Sequence, residues 1–261
     1  MVQPTPNPAD YKDAGSAFLL AGKFPTEVKK AATMYANYAA TVDSTDKWVA
    51  ASKTAGWTYL DCAQVYNIGG ESNWTPFVQR LKDCGAEMVY FSGSPAPNFQ
   101  NVLDAAKQIG YAPKWYSDSN FYDTSFANWN TAGLADNVYV RMAFYPFEQA
   151  SEHPATQKYL DLLKAANGKT GLLGAQATSS FLLWAMGAKE CGSTLTSDCV
   201  LGKLKAVNKW DAGGLQATTN PGANLPPDCG MLVKLESTKY VQVAPAKIGQ
   251  MECSDKFVGS V

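Results

Sequence analysis

Residues 26–120 carry three strand–helix units in succession, and few folds are open to a chain with that rhythm. A short apolar run led by Lys29 and Lys30 and continuing through Ala31–Ala36 predicts the first strand. A helix follows from about Ser44 to Ala55, then a strand over Trp57–Val65 and a helix over Trp74–Cys84. The third strand is Met88–Ser92, its helix Asn98–Ile109, and a fourth strand at Lys114–Ser117 closes the pass. Strands that alternate with helices over short connections predict an α/β fold: a parallel sheet flanked by helices on both faces.

Two helices show the pattern most clearly. Trp74, Phe77, Val78, Leu81 and Cys84 fall on one stripe of a 3.6-residue period. Ser72 or Asn73 can cap the start, and Gly85 stands at the left-handed position that ends such a helix. Phe99, Val102, Leu103, Ala106 and Ile109 repeat the design, with Gly110 at the end. These stripes are core packing and establish architecture only. Function is sought at the carboxyl ends of the strands, where parallel sheets bind ligands. Those ends carry Asn37–Tyr38, Tyr66–Asn67, Ser92–Gly93–Ser94 and Asp118–Ser119–Asn120, groups suited to holding a small molecule rather than transforming one.

Catalytic signatures are missing from the sequence. It has no nucleophile elbow, no Walker loop, no dinucleotide fingerprint and no zinc-protease motif. His153, the sole histidine, leaves no base for a serine or cysteine nucleophile near a strand end. Asp61 and Glu71 are the remaining carboxylate pair, but Asp61 is expected mid-strand and facing solvent. No metal site and no cofactor is expected. A net charge of −1 supplies no basic field for nucleic acid or an anionic membrane. The longest uncharged stretch, Leu172–Ala188, is diluted by Gln176, Thr178, Ser179, Ser180 and two glycines, and reads as a buried helix.

Six cysteines suggest three pairs, with free buried cysteines as the alternative. Cys62 belongs to a strand and Cys84 to the buried stripe of the helix packed on it. Cys191 and Cys199 bracket a short loop between helices, and Cys229 and Cys253 remain for each other. Disulfides favour an exported protein.

Several runs resemble the solute-binding proteins of branched-chain amino-acid-type ABC transporters. They are Lys30–Tyr38, Ala55–Trp57, Trp74–Ala86, Gly85–Gly93 and Ala105–Tyr111. No single run is decisive, but their order is specific, and the likeness spans roughly residues 15–245. It implies a type I periplasmic-binding-protein-like lobe plus the helices of an incomplete second lobe. Family members have a long α/β segment ahead of the equivalent of Val28. This sequence has Met1–Pro8 and no apolar export core there, so the likeness implies a fragment of a longer chain.

The resemblance divides the chain into a lead segment (1–25), an α/β ligand-binding lobe (26–145), the helical part of an incomplete first lobe (146–225), and a hairpin returning to the α/β lobe with a tail (226–261). The helix over Leu172–Cys191 is apolar nearly all round. Its face is expected either to stand uncovered or to draw Pro4–Phe24 over it. The implied role is capture of a small organic solute between lobes and delivery to ABC permease membrane subunits. The implied location is extracellular or periplasmic, tethered to the cell surface. A ligand-sensing receptor module and a small α/β hydrolase are the alternatives.

Tyr38, Tyr66, Ser94, Asp118 and Ser119 are the expected ligand-binding residues. Amino-acid-binding members place an acid at about the position Ser119 occupies. Its replacement favours a neutral, anionic or aromatic solute over a free amino acid.

Overall fold

Parallel pairing between segments distant in sequence builds the centre of the molecule. The computed structural model describes residues 2–4, 11–93 and 96–260. The chain enters by β1 (Tyr11–Asp13) and α1 (Gly15–Lys23), then alternates through β2 (Ala31–Ala36), α2 (Ala39–Thr54), β3 (Gln64–Tyr66), α3 (Thr75–Asp83), β4 (Met88–Ser92), α4 (Ala96–Gln108), β5 (Lys114–Ser117), α5 (Thr124–Trp129) and β6 (Val138–Met142). Three helices follow, α6 (Pro154–Ala165), α7 (Leu172–Cys191) and α8 (Ser197–Lys205). Strands β7 (Cys229–Glu236), β8 (Lys239–Ala244), β9 (Glu252–Cys253) and β10 (Val258–Ser260) complete the order.

Along the main sheet the strand order is β3-β2-β4-β5-β6-β7-β8, with β9 paired to β7. The first five strands are parallel, and β7 and β8 join antiparallel. The expected hairpin is thus present, and its first strand returns to the α/β sheet beside β6. Its turn places Ser237 at φ 54°, held by its amide on Asp136 Oδ1 at 3.1 Å.

Strand pleating sends alternate residues to opposite faces, so the sheet has two cores. One contains Val89, Phe91, Trp115, Val138 and Val140, covered by Val78, Leu81, Phe99, Val102 and Phe126 of α3, α4 and α5. The other contains Met88, Tyr90, Tyr116, Tyr139 and Leu232, covered by Ala17 and Leu20 of α1 and Trp48 of α2. Helix α1 is pinned there by Trp57 Nε1 donating to the Ala17 carbonyl at 3.0 Å and by Ser16 Oγ against Tyr116 Oη at 2.6 Å. Helix α1 of the lead segment therefore covers the sheet. Among the described residues of the lead segment, Val2 and Pro4 reach the α7 region: Val2 packs on the Leu183–Leu204 cluster, and the Pro4 carbonyl accepts from Gln216 and Thr219.

Two sequence expectations need correction. Helix α2 begins at Ala39, five residues before the expected Ser44, on a Tyr38 position that lacks a side-chain cap. The strand expected over Trp57–Val65 is only Gln64–Tyr66, with a single bridge from Tyr59 to Ala31 upstream. The chain leaves the sheet around Asp61–Ala63, where Cys62 is tied to Cys84 at the end of α3. Asp61 is accordingly exposed coil and not mid-strand. Disulfides join Cys62 to Cys84, Cys191 to Cys199 and Cys229 to Cys253, the three expected pairs. Among the described residues no helix is long and apolar enough to cross a membrane.

Helix α7 has the expected bounds but only part of the expected burial. Leu172, Ala175, Ser179, Leu183 and Gly187 face inward, while Leu173, Phe181, Leu182 and Trp184 are exposed.

Candidate functional site at the strand ends

A cavity of about 260 Å³ lies over the carboxyl ends of β5 and β6, on the sheet face that α1 and α2 cover. Its residues come from separate parts of the chain. Tyr90, Tyr116 and Arg141 come from β4, β5 and β6, Asp13 from the end of β1, Ser44 and Trp48 from α2, Gln176 from α7, and Asp118, Ser119 and Asn120 from the turn after β5. A second cavity of about 280 Å³ shares Ser44, Asp118 and Asn120 with the first, and adds Tyr38, Thr41, Ile68, Ser92 and Gly93. The shared residues make the pair two parts of one region. Each is close to the lower end of the range usual for small-molecule sites, roughly 300–1,000 Å³.

Strand register explains the assembly. Tyr90 pairs with Tyr116, and Ser117 with Val140, so one further step brings Asp118 level with Arg141. Period-two alternation puts Tyr90, Tyr116, Asp118 and Arg141 on the same side of the sheet. Asp118 also accepts from the Asn120 amide at 2.8 Å, which shapes the turn. At the mouth of the second cavity, Tyr38 is 56% exposed at the start of α2. Gly93 forms part of the wall at φ 125°, and a Cβ there would strike the Tyr66 hydroxyl and crowd Ala36.

The electrostatics are mixed. Arg141 Nη1 lies 3.4 Å from Asp13 Oδ2. Burial by itself lowers the guanidinium pKa, but the Asp13 carboxylate, the two tyrosines and Asp118 raise it overall, so Arg141 stays charged. Burial, with a smaller contribution from Asp118, pushes the Tyr90 hydroxyl up to about 12. Tyr116 is raised well above its ordinary value, chiefly by burial. Both tyrosines are neutral at physiological pH and offer hydroxyls, not phenolates. Among the described residues no group of three or more His, Cys, Asp or Glu side chains is placed to hold a metal ion.

The sequence candidates divide. Asp118 and Ser119 line the first cavity, and Tyr38 and Asp118 line the second. Tyr66 stands elsewhere: its ring is buried against Phe91 and Trp74, and its hydroxyl donates to the Ser92 carbonyl at 3.1 Å. It supports the cavity wall from behind and lines neither cavity. Ser94 lies outside the described residues. Sequence reasoning passed over Arg141, Tyr90, Tyr116 and Asp13. One signal was available, because Arg141 is the only charge in the strand Val-Tyr-Val-Arg-Met.

The model of the family described as periplasmic binding protein matches residues 5–239. The fold is similar to that of the fatty acid ABC transporter substrate-binding protein from Thermomonospora curvata, with TM-score 0.72 and 13% identity, over 98% of this chain and 65% of that one. It is also similar to a branched-chain amino acid ABC transporter protein from Thermus thermophilus with bound valine, with TM-score 0.67 and 14% identity, over 94% and 66%. A leucine-binding protein from Thermotoga maritima gives TM-score 0.70 and 10% identity, over 89% and 64%. The chain spans just under two thirds of the length of these structures. At such identities the likeness concerns the fold. No curated protein matches the chain.

Proposed function

Because the chain belongs to the periplasmic binding protein family, we propose that it takes part in capturing a small organic solute for delivery to the membrane permease of an ABC importer. The family is one of solute-binding proteins rather than enzymes, and it implies an extracellular or periplasmic location. Tethering at the cell surface belongs to the proposal. So does the division into an α/β lobe at 26–145 and helices of a second lobe at 146–225, which Gln176 brings to the cavity.

The observation that carries this reading is the cavity itself. It lies at the carboxyl ends of parallel strands, where turn amides and hydroxyls are free of the sheet ladder. Tyrosine and tryptophan give it apolar walls with polar tips, and Asp118, Ser119 and Asn120 supply hydrogen-bonding groups. Tyr38 lines the adjoining second cavity as an exposed aromatic. With Ser119 where amino-acid binders carry an acid, the preferred solute is neutral, anionic or aromatic.

Titration calorimetry with amino acids, aliphatic and aromatic acids, their amides and simple sugars tests the reading. Saturable binding is expected with Kd between roughly 1 mM and 1 μM, or about −4 to −8 kcal/mol. Asp118→Ala and Tyr38→Ala should each weaken it. No saturable binding by any solute would sink the proposal, and unchanged affinity in both variants would move the site elsewhere.

A further inference from the structure

Arg141 is chemically out of place in its strand. Val138, Tyr139, Val140 and Met142 are buried, and their neighbours in the sheet are apolar or aromatic except Ser117 and Lys234. The Arg141 side chain keeps 28% of its surface exposed, and withdrawing the rest of a guanidinium from bulk water costs free energy unless good partners replace the water. The partner present is a poor match: Asp13 Oδ2 lies 3.4 Å from Nη1, against roughly 2.7–2.9 Å for a well-formed charge-assisted bond. Asp13 is also engaged elsewhere, since its Oδ1 accepts from the Gly15 amide at 2.9 Å. A guanidinium presents a planar fork of N–H donors matched to a carboxylate, and this one lines the cavity with most of its donors unused by the described residues.

We propose that Arg141 selects the solute by receiving its carboxylate, and that Asp13 holds the guanidinium in place until the solute displaces it. This rests on the cavity being the solute site and adds the class of solute. The charge balance narrows that class. Arg141 contributes one positive charge, and Asp13 and Asp118 one negative charge each, so a second anionic group on the solute would be repelled. Trp48, Tyr90, Tyr116 and Phe144 give the cavity an aromatic wall, beside the uncharged polar groups of Ser44, Ser119, Asn120 and Gln176. The fitting solute is an apolar or aromatic monocarboxylate.

Matched acid and amide pairs, benzoate with benzamide and isovalerate with isovaleramide, are titrated into the whole chain by calorimetry. Wild-type protein should bind each acid at least about ten-fold more tightly than its amide, in line with the strength of a bidentate charge-assisted pair. Arg141→Gln should remove that preference, leaving acid and amide alike. Asp13→Asn should tighten acid binding a few-fold by removing the competing carboxylate, without a matching gain for the amides. Circular dichroism checks that each variant folds, and the wild-type acid-to-amide ratio stands as a test even if Arg141→Gln does not. Equal affinity for acids and amides, an acid preference that survives Arg141→Gln, or acid binding weakened by Asp13→Asn would each overturn the proposal. If a neutral solute binds while the acids do not, this inference fails and the solute-binding role stands. If nothing binds, both fail.

Discussion

Helices α4 and α7 are both rich in apolar residues, yet they meet opposite surroundings. In α4, Phe99, Val102, Leu103 and Ala106 all enter the core, with Phe99 stacked on Phe91 at 4.2 Å. In α7 one face is buried, while Phe181 and Trp184 meet each other at 5.9 Å on the open face, with Leu173 and Leu182 nearby. Apolar content announces that a face can be buried. Whether it is buried depends on a partner, and the sheet supplies that partner to the apolar stripe of α4 but not to Phe181 and Trp184 of α7. An exposed apolar patch of this kind marks a surface prone to association.

The sharpest way to break this comparison is to truncate one aromatic in each helix. Phe99→Ala should cost about 3–5 kcal/mol, as removal of a fully buried ring does, measured by urea unfolding. Phe181→Ala should stay within roughly 0.5 kcal/mol. Similar costs at the two sites would mean that α7 is covered in solution.

The next effect concerns the staple beside α3. Replacing both Cys62 and Cys84 by serine, which opens a loop with a sequence separation of 22, should cost about 2–4 kcal/mol. The same change at Cys191 and Cys199, separated by 8, should cost less, because a shorter loop restrains the unfolded chain less. Paired denaturation curves decide between them, and the reverse order would show that strain or residual structure dominates.

A smaller effect is expected on the inner side of α7. Ser179 Oγ donates to Gln216 Oε1 at 2.6 Å and accepts from Trp210 Nε1 at 2.9 Å. Ser179→Ala leaves both partners unmatched in the interior and should cost about 1–3 kcal/mol. A neutral result would show that water replaces the hydroxyl. Smallest in stability is the pair Phe181→Glu with Trp184→Glu, expected to change unfolding free energy by no more than roughly 0.5 kcal/mol. Hydrophobic-dye binding and light scattering should nonetheless fall markedly, and no fall would remove the open face as a source of association.

Much of this was legible in the sequence where one segment carried its own signal. The bounds of α7 and β5, the stripes of α3 and α4, and the glycines at 85 and 110 with φ 76° and 64° all follow local patterns. The short β3 was misjudged because Trp57–Val65 has strand composition, while its pairing is interrupted where Cys62 turns toward α3. The cavity was half legible. Asp118 and Ser119 could be found at a strand end, but Tyr90, Tyr116 and Arg141 lie within strands and meet only through register between segments far apart in sequence. Tyr66 misled for a related reason, because proximity to a strand end says nothing about the face its ring takes.

The placing of the tryptophans gives the molecule its own optical readout. Trp48 is buried in the cavity wall, with Trp57 edge-on at 5.7 Å, Tyr90 at 5.2 Å and Tyr116 at 4.7 Å. Trp184, by contrast, is 48% exposed on the far helix. A dissolved quencher should therefore dim Trp184 and leave the buried Trp48, Trp57, Trp74 and Trp115 emitting, so that ultraviolet emission recorded with quencher present keeps the cavity's tryptophan and sheds the open face. A change in that signal on adding solute would report occupancy without any label.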